Sequence, residues 1–232
     1  MKKIIILSTV LLLLLLSSCT STSNLTKGDA FPLMYEEDPT VVLIMPPINY
    51  STNVEAKDFF YTTMNVPIAD AGYYVLPPNM TLAYLQKESA YDSELFLEGD
   101  ISKFKDLLGA DVVVFTVIKK WDKLYTGVQG TVNISVEYII RSTKTGEVLY
   151  SRDALINYYI ASNKGGSSIF GMLANILTTT LETATTDYIE VAVDCNDTAL
   201  VDLPSGIYSQ YHQIDQDDPA LLYSIIKQVK KK

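Results

Sequence analysis

The stretch "PTVVLIMPPIN", residues 39–49, is a continuous apolar run closed by two prolines. An unbroken β-branched and aliphatic run is the pattern of a strand buried on both faces, and proline, lacking an N–H for the ladder, stops it. Outward from this strand, residues 53–71 place Ala56, Phe59, Phe60, Met64, Ile68 and Ala69 at helical spacings. Pro67 must break or kink the run, so one or two helices follow. "GYYVL" (72–76) reads as a second strand, again closed by Pro77-Pro78 and followed by Asn79 and a helical stretch to Lys87. This repeated order predicts a β-α-β opening with parallel strands, because such crossovers are long and right-handed.

Residues 100–109 set Ile101, Phe104, Leu107 and Leu108 on one helical face, with Gly109 at the C-terminal cap position. "DVVVFTVIKK" (111–120) is a third strand buried on both sides. From residue 131 the period changes. Val132, Ile134, Val136, Tyr138 and Ile140 alternate with mostly polar neighbours, a half-wet strand, and "TKTGE" (143–147) turns the chain into a partner strand over 148–159. "NKGGSS" (163–168) is a flexible connection, and residues 169–193 form a long helix that covers the sheet. The fold class is therefore α/β (α+β). It is a single domain with a mixed sheet, parallel at its β-α-β start and antiparallel at its hairpin finish, covered by helices.

Upstream, the apolar block over residues 4–16 would reach about 20 Å as a helix, too short for a hydrocarbon core of about 30 Å. Lys2 and Lys3 precede it and Ser17 and Ser18 follow it, the order of a secretory signal peptide. Leu16-Ser17-Ser18-Cys19 resembles the bacterial lipobox, in which the cysteine receives a diacylglycerol thioether and becomes the first residue after cleavage. Residues 1–18 thus read as a cleaved lipoprotein signal peptide, and 19–38 as lipidated Cys19 with a polar tether of about 25 Å reach. Residues 39–203 read as an α/β periplasmic domain and 204–232 as a C-terminal tail with a short helix beginning at Pro219. Residues 20–27 hold no acidic residue before Asp29, which by the same resemblance directs the chain to the outer membrane.

Loss of Lys2 and Lys3 takes the formal charge from −9 to −11, so phosphate-rich nucleic acid is excluded as a partner. With Cys19 acylated, Cys195 is the remaining thiol and reads as a buried core residue; the single histidine, His212, sits in a loop-like stretch. No catalytic, cofactor-binding or metal-binding residue is assigned. "KGGSS" is a hinge or an anion cradle without the phosphate-loop spacing. "DQDD" (215–218) lacks the order of a calcium loop, and Asp218 before Pro219 reads as a helix N-cap. The terminal "KQVKKK" complements a helix dipole or touches anionic lipid. Tyr138, Tyr150, Tyr158 and Tyr159 are strand packing or a contact patch for glycan or protein.

Residues 46–56 (PPINYSTNVEA), 72–75 (GYYV), 109–111 (GAD), Trp121 and 143–147 (TKTGE) together resemble a bacterial family of outer-membrane lipoproteins of unknown function. More loosely, the "PP-x-N-x-S" and "K-T-G-E" order is similar to the periplasmic domain of the curli-secretion channel lipoproteins. The resemblance implies a non-enzymatic accessory component of an envelope export or surface-assembly complex, anchored in the outer membrane and facing the periplasm. Its partners would be envelope proteins, including channel-like lipoproteins, in a homo-oligomeric or hetero-oligomeric assembly, with no cofactor. Two other readings stand beside it: a regulator of a cell-wall synthase, for which the long polar tether is the motive, and an envelope hydrolase with its site spread through the chain.

Overall fold

The computed structural model describes residues 25–125, 129–161, 188–221 and 224–230. The signal peptide, Cys19, the 163–168 connection and the 169–187 part of the expected long helix lie outside the described residues. Two short helices, α1 (Lys27–Ala30) and α2 (Pro32–Glu37), open the described chain. Then come β1 (Val41–Ile44), β2 (Ile48–Asn49), α3 (Ala56–Thr63), α4 (Asn65–Asp70), β3 (Tyr74–Val75), α5 (Pro78–Lys87), α6 (Ser93–Leu97) and α7 (Lys103–Leu108). Three strands of 14 residues each follow, β4 (Val112–Tyr125), β5 (Gln129–Ser142) and β6 (Val148–Ala161), then α8 (Tyr188–Ala199) and β7 (Ser224–Lys230).

The sheet runs β3-β1-β4-β5-β6-β7, with β2 also on β4. β1 pairs in parallel with both β3 and β4, whereas β4, β5 and β6 form an antiparallel meander. The predicted mixed sheet is therefore present. Pro46-Pro47 interrupts the ladder without ending the strand's course, since the chain rejoins β4 at Ile48 and Asn49. β1 and the first half of β4 alternate between two cores, which explains their unbroken apolar runs. Val42, Ile44, Val112 and Val114 face one core with Phe60, Met64, Ile68, Val191 and Cys195. Leu43, Met45, Val113 and Phe115 face the other, beneath Leu85, Ile101 and Phe104. The break between α3 and α4 falls at Met64, three residues before Pro67, and Gly109 caps α7 at φ +72.

Two expectations are corrected. The tether expected over 19–38 is folded from residue 25 onward: Phe31 and Met34 are buried in the main core and the Phe31 ring lies 4.5 Å from that of Tyr150. The C-terminal helix expected after Pro219 is the strand β7, parallel to β6 from Asp153↔Ser224 to Tyr159↔Lys230. Residues 204–220 are likewise no loose tail. A Cβ on Gly72 or Gly206 would stand 2.5 Å from backbone of the other segment, and Gly206 N–H donates to the Ala71 carbonyl at 2.8 Å. Only glycine permits this approach, and Gly72 holds φ +94 besides.

The base of the 203–220 loop is closed by a buried ion pair. Arg152 on β6 donates to both oxygens of Asp202 at 2.6 and 2.5 Å, and through Nη1 to the Leu221 carbonyl at 3.2 Å. Asp202 also accepts the Leu221 N–H at 2.7 Å. Tyr150 completes the set, with its hydroxyl 2.8 Å from the Ala199 carbonyl and 3.2 Å from Asp202; burial, then the Asp202 charge, pushes that phenol above its usual range. A buried charge stripped of its partner costs about 3–5 kcal/mol. Asp202→Asn is thus expected to lower unfolding stability by about that amount in denaturant titration, and a loss below about 1 kcal/mol would contradict the role given to the pair.

Candidate functional site

The carboxyl ends of parallel strands are where open α/β sheets place their binding crevices. Here the loop after β2 and the outer half of β4 frame an open groove of about 670 Å³, lined by residues 52–55 and 121–124. The loop is ordered by its own polar side chains. Asn49 Nδ2 donates to the Asn53 carbonyl at 2.7 Å, and Asn49 Oδ1 accepts from the N–H and hydroxyl of Ser51 at 3.0 and 2.7 Å. Asn53 Oδ1 in turn accepts the Glu55 N–H at 3.0 Å. The "PP-x-N-x-S" motif is thus a local scaffold that fixes the rim, an Asx-type arrangement competing successfully with helix or strand.

Trp121 forms the floor. It is 2% exposed and packs edge-on to Phe60 at 5.6 Å and to Tyr188 at 6.1 Å. Among the described residues its buried indole N–H has no acceptor. A β-bulge between Ile118 and Lys120 puts Trp121 in this position. Without it Trp121 would alternate to the outer face; with it Lys119 and Lys120 both point outward. Lys119 there bridges Glu137 at 2.7 Å and Asp153 at 2.8 Å. The rim carries exposed Val54 and Leu124, with Val54 85% exposed. Lys123 stands 3.7 Å over the Tyr188 ring, and Asp122 pairs with Lys120 at 3.3 Å.

A second cluster ties the start of the described chain to the 203–220 loop. Lys27 and Gly28 N–H donate to the Asp218 and Gln216 carbonyls, both at 2.9 Å, and Ala220 N–H donates to the Leu25 carbonyl at 2.8 Å. Lys27 Nζ meets Asp215 at 3.0 Å, beside the Tyr35 hydroxyl at 3.0 Å and the Ser205 N–H at 3.0 Å. Burial favours the neutral acid, yet the bonds from Lys27 and Ser205 outweigh it and hold the Asp215 carboxyl below its usual range. Burial and then Asp215 push the Tyr35 phenol up. Asp215 is thus a structural ion-pair partner rather than part of a calcium loop, and Asp218 caps no helix. His212 sits between the Ser205 carbonyl at 3.3 Å and Asp38 at 3.5 Å.

Tyr138, Tyr150 and Tyr158 are buried, so strand packing is their role. The side chain of Tyr159 lies outside the described residues, and among those described the exposed tyrosines are Tyr50, Tyr74, Tyr91, Tyr208 and Tyr211. Cys195 is buried on α8. Among the described residues no group of three or more His, Cys, Asp or Glu is placed to hold a metal ion, and no helix is long and apolar enough to cross a membrane.

A family model described as "Putative lipoprotein GNA1162-like" matches residues 31–207. One relative, "Putative lipoprotein NMB1124/NMB1162" of Neisseria meningitidis serogroup B, is 24% identical over 157 residues, 66% of this chain and 70% of its own length. Among solved structures, lipoprotein GNA1162 from Neisseria meningitidis aligns with a TM-score of 0.49 at 21% identity, over 62% of this chain and 99% of that one. The PelC dodecamer from Paraburkholderia phytofirmans aligns at 0.41 with 11% identity, over 73% of this chain and 89% of its own chain. Because Asn49 makes three bonds that hold the groove's rim, Asn49→Ala is expected to cost about 2 kcal/mol in thermal or denaturant unfolding, with raised amide exchange confined to residues 50–55.

Proposed function

The chain belongs to the GNA1162-like family of lipoproteins, and on that premise we propose that it is a non-enzymatic accessory component of an envelope export or surface-assembly complex. Family membership makes it a membrane-anchored envelope protein. In this reading Cys19 carries the lipid, the membrane is the outer membrane, and the folded body faces the periplasm. The groove is the surface that engages another envelope protein. The observation that carries this is the pairing of a pre-ordered rim with exposed apolar side chains, Val54 and Leu124, beside the Trp121 floor. Exposed apolar side chains framed by ordered polar groups are the kind of surface on which a partner's contacts concentrate. The carboxylates at the groove support binding over hydrolysis: Glu55 is exposed and Asp122 is paired with Lys120.

The cell-wall synthase reading loses its motive. It required a long polar reach across the periplasm, and the chain is already folded and clasped at residue 25. The remaining six residues from Cys19 span at most about 20 Å.

Placing a photo-crosslinking residue at Val54 or Leu124, both on the rim and exposed, in intact cells is expected to yield a Cys19-dependent adduct with an envelope protein. Leu124→Asp is expected to reduce Val54-site capture about tenfold or more, the effect of losing a contact of about 2 kcal/mol. Recovery of uncrosslinked chain alone, from both positions, would contradict the proposal.

A further inference from the structure

The longest uncharged stretch of the loop lies beside the clasp. Residues 203–214 contain no Asp, Glu, Lys or Arg, and Ile207, Tyr208, Tyr211 and Ile214 are exposed, Ile214 at 73%. The charge that follows, Asp215, is turned inward to Lys27 and Ser205. Ile214 is two residues from Gln216, whose carbonyl accepts the Gly28 N–H, so its Cα stands within about 7 Å of the Gln216 Cα. On the other side of the clasp, Leu25 follows Cys19 by six positions, and in any conformation the two Cα atoms stand at most about 20 Å apart.

From this constraint we infer that the 207–214 turn is seated in the headgroup region of a zwitterionic phospholipid bilayer. The inference rests on the reading of Cys19 as the acylated residue. An anchor six residues from Leu25 brings the 214–220 face to the bilayer surface. Tyrosine and isoleucine are the residue types that partition there, the aliphatic side chain into the acyl boundary and the phenol at the headgroups. The surrounding exposed charges, Asp29, Glu36, Asp217 and Asp218, are all acidic. Apolar contact therefore drives the seating, and anionic lipid opposes it.

The protein carries one tryptophan, Trp121, which is buried and gives a constant background. The full acylated chain bearing Ile214→Trp is reconstituted into phosphatidylcholine vesicles containing bromine-labelled acyl chains, alongside Val54→Trp at the groove. Quenching at 214 is expected to exceed that at 54 at least about threefold, as for a side chain seated about 5–10 Å into the headgroup boundary. Added phosphatidylglycerol is expected to weaken it. Equal quenching at the two positions, quenching that appears only with phosphatidylglycerol, or capture of a second copy from a crosslinker at Tyr211 would each overturn the inference. If the chain also fails to float with vesicles in a Cys19-dependent manner, the acylation reading falls with it. Cys19-dependent flotation without quenching at 214 removes the seating alone.

Discussion

The contact between Arg152 and Asp202 fixes more of this molecule than any other. It is buried, it is satisfied from both sides, and it reaches across three segments that are distant in sequence: strand β6, the chain after α8, and Leu221 at the start of the return to the sheet. Because Asp202 and Leu221 are held at the same guanidinium, the residues between them close as a loop with a defined base. That loop then supplies the carbonyls and the carboxylate that receive Lys27 and Gly28. An ion pair removed from water contributes little net stability compared with an apolar substitute, but it tolerates few geometries. Here the geometry it selects determines where the amino-terminal segment leaves the folded body.

The two clusters lie apart on the sheet. Trp121 pairs across β5 with Ile134 and so with Ile156, four residues along β6 from Arg152, and Leu124 lies at the level of Tyr159. The groove is therefore displaced by about 13–23 Å along the strands from the ion pair. The clasped loop lies at the end where the described chain begins, and the groove occupies the portion of the long strands beyond it. Strand β7 runs toward the groove end, since Lys230 pairs with Tyr159. Lys230 is thus carried away from the clasp, and the helix dipole expected to meet the terminal lysines disappears with the helix.

Much of the fold was legible in the residues because burial imposes its period directly. The run at 41–44 is apolar throughout and that at 112–118 is apolar but for the buried Thr116, because two cores press on them, and the alternation over 132–140 is broken only at Ile139, which packs against the second core. The errors have a common physical origin in long-range pairing. α1 and α2 are four and six residues long, too short to show a periodicity, and they are held by Asp215, Gln216 and Asp218 nearly 200 positions away. Residues 224–230 contain apolar positions compatible with either period; hydrogen bonding to β6 decides for a strand, in keeping with the β-branched Ile225, Ile226 and Val229. The groove was half visible. Asn49, Ser51 and Asn53 stood out as a motif, while the inward turn of Trp121 depends on a bulge that leaves no mark in the pattern of residues.

The central claim is that the chain is folded from residue 25 and joined there to the 215–220 segment, leaving a short span back to Cys19, the proposed site of acylation. Amide hydrogen exchange of Lys27, Gly28 and Ala220 tests it directly. The account predicts that these three N–H groups, each bonded to a carbonyl across the clasp, exchange orders of magnitude more slowly than an unfolded chain and lose protection together. Exchange at unfolded-chain rates, with the β4 and β5 amides still protected, would show an open clasp and a long free tether, and would contradict it.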